Sequence, residues 1–216
     1  MRRIGSLEVS TVGLGCNNFG GRLDEQATAR VVHAALDAGI NFFDTADIYG
    51  STDSERFLGR ALGSRRSEAV VATKFGMRND QVAGGAKPEY VTRAADASLE
   101  RLNIDRIDLF QLHQPDPSVP IADTLAAMND LVQAGKVREI GCSNFSVEQL
   151  REAHTAVKDG AAKFVSVQNQ YSLLHREPEK GVLPECERLG LAFLPYFPLA
   201  NGLLTGKYAR GVAPPK

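Results

Sequence analysis

Cysteine is scarce in this chain of 216 residues, and the three that occur lie far apart. Cys16, Cys142 and Cys186 are odd in number and none forms a CxxC pair, so neither a disulfide framework nor a zinc site with that spacing is indicated. The sequence therefore favours a reducing, cytoplasmic compartment.

The chain also lacks a charge excess and long apolar runs. Its 25 Lys and Arg residues nearly balance its 26 Asp and Glu residues, so nothing predicts a nucleic acid or an anionic membrane as a partner. No stretch approaches the ~20 apolar residues of a membrane span, and no apolar segment follows Arg2 and Arg3 as it would in an export signal. With 43% hydrophobic and 24% charged residues, the composition is that of a globular domain.

What the sequence does contain is a regular alternation of short apolar runs with amphipathic segments. The runs occupy residues 12–15, 41–44, 69–74, 108–113, 140–143, 166–170 and 192–196. Their near-continuous apolarity predicts strands buried on both faces, and the segments between them show helical spacing. Units of about 30 residues are typical of strand–helix repeats on a parallel sheet. A (β/α) barrel is the leading architecture, and a doubly wound sheet is the alternative.

The predicted helices have marked ends. Four glycines follow helical segments as terminating residues: Gly39, Gly63, Gly135 and Gly190. Pro88 and Pro120 suit first-turn positions. Ser146 and Gln149 have the spacing of a capping box, which predicts a helix starting directly after Ser146.

Polar side chains collect where the predicted strands end. The runs carry at or near their ends Asp44, Lys74, His113, Ser143 with Asn144, Gln168 and Tyr196, and Tyr49 lies in the turn after the second run. In a parallel barrel the carboxyl ends of the strands meet at one rim, and active sites lie there. We therefore expect these side chains to face one site.

Asp44, Tyr49, Lys74 and His113 suit the reduction of a carbonyl group. Hydride addition leaves an alkoxide that needs a proton, and a tyrosine can donate it although its ordinary pKa is about 10. A neighbouring lysine ammonium is expected to bring the pKa of that tyrosine toward working pH. A carboxylate beside the lysine keeps it charged, and a histidine can hydrogen-bond the carbonyl oxygen.

Three segments resemble the signatures of the aldo-keto reductase superfamily. Residues 43–50 read FDTADIYG and are followed at 54–59 by SERFLG, which is similar to the first signature. Residues 135–145 read GKVREIGCSNF and resemble the second, while residues 196–208 read YFPLANGLLTGKY and resemble the cofactor-binding loop after strand seven. The resemblance covers essentially the whole chain, in order. It is nearest to bacterial oxidoreductases and to the branch related to potassium-channel β-subunits.

This resemblance implies a (β/α)8 TIM barrel that binds NADP(H), or in some members NAD(H), and reversibly reduces aldehydes or ketones. It assigns catalysis to Asp44, Tyr49, Lys74 and His113. The residues that it implies for cofactor binding are Cys16, Asn17, Asp44, Ser143, Asn144, Gln168, Tyr196, Phe197, Pro198, Leu199, Ala200, Asn201 and Lys207.

Within the implied cofactor site the residues divide by the part of the cofactor that they would meet. Ser143, Asn144 and Gln168 would bind the nicotinamide carboxamide. Tyr196 would stack on the ring, and residues 197–201 with Lys207 would surround the phosphates. Phe197 departs from the family pattern, because serine is usual there, and the change removes a side-chain hydroxyl from one phosphate contact.

The sequence does not support a dinucleotide-binding fingerprint or a metal site. The glycines at the first run do not follow the GxGxxG spacing of a dinucleotide fingerprint, and we interpret them as turn residues: Gly13, Gly15, Gly20 and Gly21. Asp, His and Lys at strand ends also occur in metal-dependent barrel hydrolases. The sequence has no HxH pair and no HExxH motif, so no metal site is expected.

Two functions remain open. The first is an NADPH-dependent reductase of small-molecule aldehydes or ketones. The second is a cofactor-binding regulatory or sensor subunit with the same fold and little turnover, as among potassium-channel subunits, in which the same four residues are retained. The sequence predicts neither a nucleic-acid partner nor a membrane partner for either one.

The carboxyl-terminal part of the chain is short for a barrel. A closed barrel needs eight strands and about 250 residues, and the seventh predicted strand ends at Tyr196. The 20 residues that follow hold a loop and then residues 211–216, and they are too few to form a further helix, strand and helix at about 30 residues per unit. We therefore expect residues 1–216 to be one aldo-keto reductase barrel domain that stops before strand eight and belongs to a longer polypeptide.

Overall fold

The computed structural model describes residues 1–80, 82–208 and 211. The strands are β1 (Arg2–Ile4), β2 (Leu7–Val9), β3 (Gly13–Gly15), β4 (Phe42–Asp44), β5 (Val70–Phe75), β6 (Ile107–Leu112), β7 (Val137–Ser143), β8 (Phe164–Gln170) and β9 (Ala192–Tyr196). The α-helices are α1 (Glu25–Asp37), α2 (Asp53–Leu62), α3 (Pro88–Leu102), α4 (Ile121–Gln133), α5 (Val147–Ala156) and α6 (Val182–Leu189). Short 3₁₀ segments lie at Tyr49–Thr52, Gly63–Glu68, Glu177–Lys180 and Ala200–Thr205.

Strands β3 to β9 form one parallel sheet in chain order, with one α-helix between each strand and the next. Each of the seven predicted runs coincides with one of these strands to within three residues at either end. A doubly wound sheet reverses its strand order at a switch point, and the sequential order excludes that alternative. Among the described residues β3 and β9 are the two edges, so the sheet is a curled half-barrel of seven strands, consistent with a truncated (β/α)8 fold.

An antiparallel hairpin of β1 and β2 precedes the sheet, and the sequence analysis did not predict it. Its apolar residues Ile4, Leu7 and Val9 form a cluster with Phe42 and Leu109 inside the half-barrel. Strands of three residues are too short to show a clear period, so only tertiary packing reveals the hairpin. It covers the amino ends of the strands, opposite the end where the polar side chains collect.

The helix ends agree with most of the predicted signals. Gly39 and Gly135 each lie one residue beyond the C-cap, of α1 and of α4 respectively. Gly63 and Gly190 directly follow α2 and α6, and all four glycines have positive φ. Pro88 is the first residue of α3, and Ser146 with Gln149 forms the predicted capping box at α5. Pro120 was expected in the first turn of α4. Its ψ of 130° is extended, so the helix begins one residue later.

Burial falls from the centre of the sheet to its edges. Every residue of β6 is buried, whereas β3 and β9 contain no buried residue. The largest apolar cluster lies between the central strands and helices α3 to α5. Within the described ranges, no helix combines the length and the apolarity needed to cross a membrane. Residues 212–216 belong to the stretch expected to be too short for a further helix, strand and helix, and they lie outside the described part of the chain.

Candidate active site

A cavity of about 1560 Å³ opens at the carboxyl ends of the strands and continues along the inner face of the sheet. Most of the site residues expected from the sequence line it: Cys16, Asn17, Asp44, Tyr49, His113, Ser143, Asn144, Gln168, Tyr196, Phe197, Pro198, Leu199 and Asn201. Lys74 is completely buried and contacts two of the lining residues from below. Ala200 and Lys207 belong to the loop that borders the cavity.

Lys74 joins the other catalytic candidates. Its Nζ donates to Asp44 Oδ2 at 2.7 Å and to the Thr45 carbonyl at 2.8 Å, and lies 3.5 Å from the Tyr49 hydroxyl. The Tyr49 ring meets the His113 ring edge to face, with centroids 5.8 Å apart. The structure thus brings Asp44, Tyr49, Lys74 and His113 into one cluster, which we call the central site.

The other carboxylate oxygen of Asp44 is held by a residue that the sequence analysis missed. Gln111 on β6 donates from Nε2 to Asp44 Oδ1 at 3.1 Å. Gln111 lies opposite Lys74 in the register of β5 and β6, and it precedes His113 by two residues. A glutamine inside an otherwise apolar run, two residues before a candidate histidine, was the signal available in the sequence.

The charges of the central site are set by competition between burial and pairing. Burial is the largest influence on the pKa of Lys74 and lowers it, but the contacts with Asp44 and Tyr49 together raise it further, so the net pKa is raised and the side chain is an ammonium. For Tyr49 burial wins: it raises the pKa, and Lys74 opposes the rise only in part. The expectation that Lys74 brings the pKa of Tyr49 toward working pH is therefore wrong. Tyr49 keeps its proton at neutral pH.

His113 is a neutral imidazole. Burial, with a smaller contribution from the Lys74 cation, lowers its pKa to about 3. Its Nδ1 is buried and has no hydrogen-bond partner within the described part of the chain. A neutral histidine beside a protonated tyrosine gives the cavity two hydrogen-bond donors without adding a second positive charge.

The residues expected to hold the nicotinamide form one hydrogen-bonded group across β7, β8 and β9. The hydroxyl of Ser143 donates to the Gln168 carbonyl at 2.8 Å. The Asn144 amide donates to the His113 carbonyl at 2.9 Å, and its oxygen accepts from the Tyr196 hydroxyl at 2.9 Å. Asn144 has a φ of 62°, a left-handed conformation that asparagine adopts more readily than most residues. These bonds fix the side chain of Asn144 next to His113.

The loop after β9, residues 196–207, borders the cavity, and we call it the edge loop. Phe197, Ala200 and Asn201 have positive φ, and the 3₁₀ segment Ala200–Thr205 turns back toward the cavity. Successive backbone N–H groups in such a turn can make an anion-binding concavity. Lys207 Nζ lies 2.9 Å from where a Cβ on Gly202 would be, so the ammonium folds onto this loop.

Cys16 and Asn17 follow β3 on the other side of Asp44. The backbone N–H of Cys16 donates to the Asp44 carbonyl at 2.9 Å, and its carbonyl accepts from Ser54 Oγ. Burial and then the Asp44 carboxylate raise the pKa of the Cys16 thiol far above its usual range, so it is a thiol and not a thiolate. Asn17 is exposed at the cavity wall.

The sequence analysis also gave no role to a buried carboxyl in the turn after β4, two residues before Tyr49. Asp47 is 2% exposed, and burial together with the nearby Glu55 raises its pKa to about 7. Glu55 itself is buried and pairs with Arg101 at 2.6 Å and with the Thr73 hydroxyl at 2.6 Å. No cluster of three or more His, Cys, Asp or Glu side chains suited to a metal ion occurs in the described ranges.

Comparison with known proteins places these residues in a family. The model of the aldo/keto reductase family matches residues 11–216. Aldo-keto reductase YhdN of Bacillus subtilis is 40% identical over 209 residues, which cover 93% of this chain and 62% of that protein. Probable aldo-keto reductase 1 of Glycine max is 38% identical over 209 residues, with 93% and 59% covered. The chain thus spans about six tenths of the length of these curated relatives.

Solved structures show the same likeness in three dimensions. The glycerol dehydrogenase AKR11B4 from Gluconobacter oxydans superposes with a TM-score of 0.86 at 35% identity, over 99% of this chain and 68% of that one. The holo form of aldo-keto reductase AKR11C1 from Bacillus halodurans gives 0.87 at 35% identity, over 97% and 70%. Sequence, sheet order and structural likeness agree, and the chain belongs to the aldo/keto reductase family.

Proposed function

We propose that the protein is an NADPH-dependent oxidoreductase that reduces small-molecule aldehydes or ketones to alcohols, with Tyr49 as the general acid. The observation that carries the proposal is the contact of the buried Lys74 ammonium with both Asp44 and the Tyr49 hydroxyl at the strand ends. Residues 1–216 are proposed to contribute one barrel domain to this enzyme. The three cysteines are buried, free thiols, which favours a reducing, cytoplasmic compartment.

The residues at the cavity fit a nicotinamide cofactor. A flat ring that carries a carboxamide needs an aromatic face beside it and groups that both donate and accept hydrogen bonds. Tyr196 offers the face, and Ser143, Asn144 and Gln168 offer a hydroxyl and two carboxamides along the same wall. The edge loop, with its left-handed turn and Lys207, suits the phosphates of NADPH or NADH. When bound, the reduced nicotinamide supplies a hydride.

The chain's own residues then supply hydrogen bonds and a proton. His113, neutral, donates to the carbonyl oxygen and fixes its approach. As negative charge develops on that oxygen, the Tyr49 hydroxyl gives its proton to it and the alcohol forms. The Lys74 ammonium, 3.5 Å away, stabilises the tyrosinate that remains. Asp44 keeps Lys74 charged and in place.

The test is oxidation of NADPH by the full-length protein against a panel of aldehydes and ketones, with NADH in a parallel series. We expect carbonyl-dependent oxidation of the reduced cofactor and formation of the matching alcohol. Tight NADPH binding with no turnover on any member of the panel would favour the sensor subunit instead. Failure to bind either cofactor would contradict both functions.

A further inference from the structure

The middle of β6 contains a polar side chain that the interior of a barrel does not need. Residues two apart on a strand face the same side, so Leu109, Gln111 and His113 all point inward. Leu109 belongs to the apolar cluster at the hairpin and His113 faces the cavity. Gln111 lies between them and is completely buried.

The carboxamide of Gln111 has a fixed orientation. Its Nε2 donates to Asp44 Oδ1, and an ionised carboxylate can only accept, so the amide cannot be reversed without losing that bond. Its Oε1 is buried and has no hydrogen-bond partner within the described ranges. Burying a carboxamide with half of its hydrogen-bonding capacity unused is unfavourable. A leucine here would fill similar space without that cost, so what the glutamine adds is the one bond that it makes to Asp44.

The neighbouring strand leaves room for this side chain. Gly141 on β7 is the register partner of Gln111. A Cβ at Gly141 would lie 3.3 Å from Gln111 Cγ and 2.5 Å from Ser166 Oγ. The absence of a side chain at Gly141 therefore leaves room for the stem of Gln111 on the β7 side.

We propose that Gln111 is a positioning residue for the reaction. By holding Asp44 Oδ1 it keeps Oδ2 on the Lys74 ammonium, and so keeps that ammonium against the Tyr49 hydroxyl. The inference rests on the function proposed above. The ionisable groups around this pair are Tyr49, Cys16 and His113, which are uncharged at neutral pH because of their burial, and Asp47, whose pKa burial raises to about 7 and which interacts electrostatically with Lys74. Within the described ranges Asp44 is the carboxylate that forms an ion pair with Lys74, and its orientation decides how well that cation is held.

Two substitutions separate positioning from space filling. Gln111→Leu removes the donor at similar volume, and we expect kcat to fall by about tenfold with the KM for the aldehyde unchanged. Gln111→Glu keeps the shape but donates only while the new carboxyl is protonated. The kcat of this variant should approach the wild-type value at acidic pH. It should fall as the new carboxyl ionises beside Asp44, over a pH range in which the wild-type kcat does not change. Phe110→Leu, on the opposite face of the same strand, controls for general disturbance of β6 and should leave kcat of the folded protein unchanged.

The decisive measurement is the pKa of Lys74 in the full-length wild type and both variants, followed through its Cε and Nζ resonances by NMR, with melting temperature as a check on folding. In Gln111→Leu the pKa of Lys74 should fall, because Asp44 is then less well placed to oppose the effect of burial. In Gln111→Glu, once the new carboxyl is ionised, the pKa of Lys74 should rise because a second anion lies nearby. A Lys74 pKa and a kcat that both match wild type in Gln111→Leu would overturn the proposal, as would a pH-independent loss of kcat in Gln111→Glu. This readout needs no turnover, so it tests Gln111 even if the protein reduces no carbonyl.

Discussion

The central site and the edge loop are built in opposite ways. The central site stands on β4, β5 and β6, where Lys74 has no exposed surface and its register partner on β6, Gln111, is also buried. The edge loop follows β9, which has one strand partner among the described residues, and Phe197 and Leu199 are exposed on it. The proposed proton transfer therefore lies where burial is greatest, and the proposed recognition of the cofactor phosphates lies at the accessible edge.

This difference predicts that changes in the two regions will separate rate from affinity. In the central site a substitution should reduce kcat and also stability, because the same contacts serve both. In the edge loop it should alter cofactor binding and leave kcat nearly unchanged.

The strongest test of the central site is Lys74→Met. It removes the cation that stabilises the tyrosinate and leaves Asp44 without its ion-pair partner. We expect kcat to fall by roughly 10²–10⁴-fold, the typical size of a general acid–base contribution, and unfolding free energy to fall by about 3 kcal/mol, as for other broken buried pairs. Steady-state kinetics and chemical denaturation measure the two. A variant with normal kcat would show that Lys74 has only a structural role.

Asp47→Asn tests, through the free energy of unfolding, whether Asp47 keeps its proton in the folded protein. The folded-state pKa of Asp47 is about 7 against an ordinary value of 3.8, so between these values the unfolded chain releases a proton that the folded protein retains. Wild type therefore loses stability from Asp47 as pH rises through this window, and the amide variant does not. Relative to wild type, the variant should gain roughly 2–4 kcal/mol between pH 4 and pH 8. His113 is present in both proteins, so its own titration cancels in the comparison. An equal pH dependence of stability in wild type and variant would contradict the raised pKa of Asp47.

Phe197→Ser tests the edge loop. It restores the hydroxyl usual in the family, at a residue with a φ of 52° that is unfavourable for an aromatic side chain. We expect the Kd for NADPH to fall by several-fold, which is within the range of one hydrogen bond to a charged group. The kcat should be unchanged within about twofold. Fluorescence titration gives the Kd, and a large change in kcat at an unchanged Kd would show that the two regions are not separate.

The smallest expected effect is the response of kcat to pH. The proposed reduction needs His113 neutral, which holds above its pKa of about 3, and Tyr49 protonated, which holds below a pKa raised by burial above the ordinary value of about 10. The wild-type rate at saturating substrate and NADPH should be flat between about pH 5 and pH 9. A rate that falls from pH 6 to pH 8 would instead assign the proton donor to a group such as Asp47.

The sequence predicted the arrangement of strands and helices better than the pKa values of the buried side chains. Apolar runs bounded by glycine placed all seven parallel strands, and the capping box fixed the start of α5, because both are local patterns. The hairpin β1–β2 escaped because it is stabilised by contacts with strands far away along the chain.

In the site, strand-end placement predicted which side chains lie together, but the depth of burial is not a local property. The pKa of Tyr49 was therefore predicted in the wrong direction, since the sequence shows Lys74 but not the surroundings that exclude water. Gln111 and Asp47 were missed for a related reason. Each looked like one polar residue in a run, and only the packing of β6 and of the turn after β4 shows that both are buried.

The most direct test of the account is Tyr49→Phe in the full-length protein, compared with wild type for kcat at saturating NADPH and for the Kd of NADPH. If Tyr49 is the general acid, kcat should fall by roughly 10²–10⁴-fold. The Kd of NADPH should be unchanged, because the Tyr49 hydroxyl lies at the central site and the substitution leaves the edge loop untouched. Reduction of aldehydes by the variant at the wild-type rate would show that Tyr49 is not the acid and would contradict the central claim.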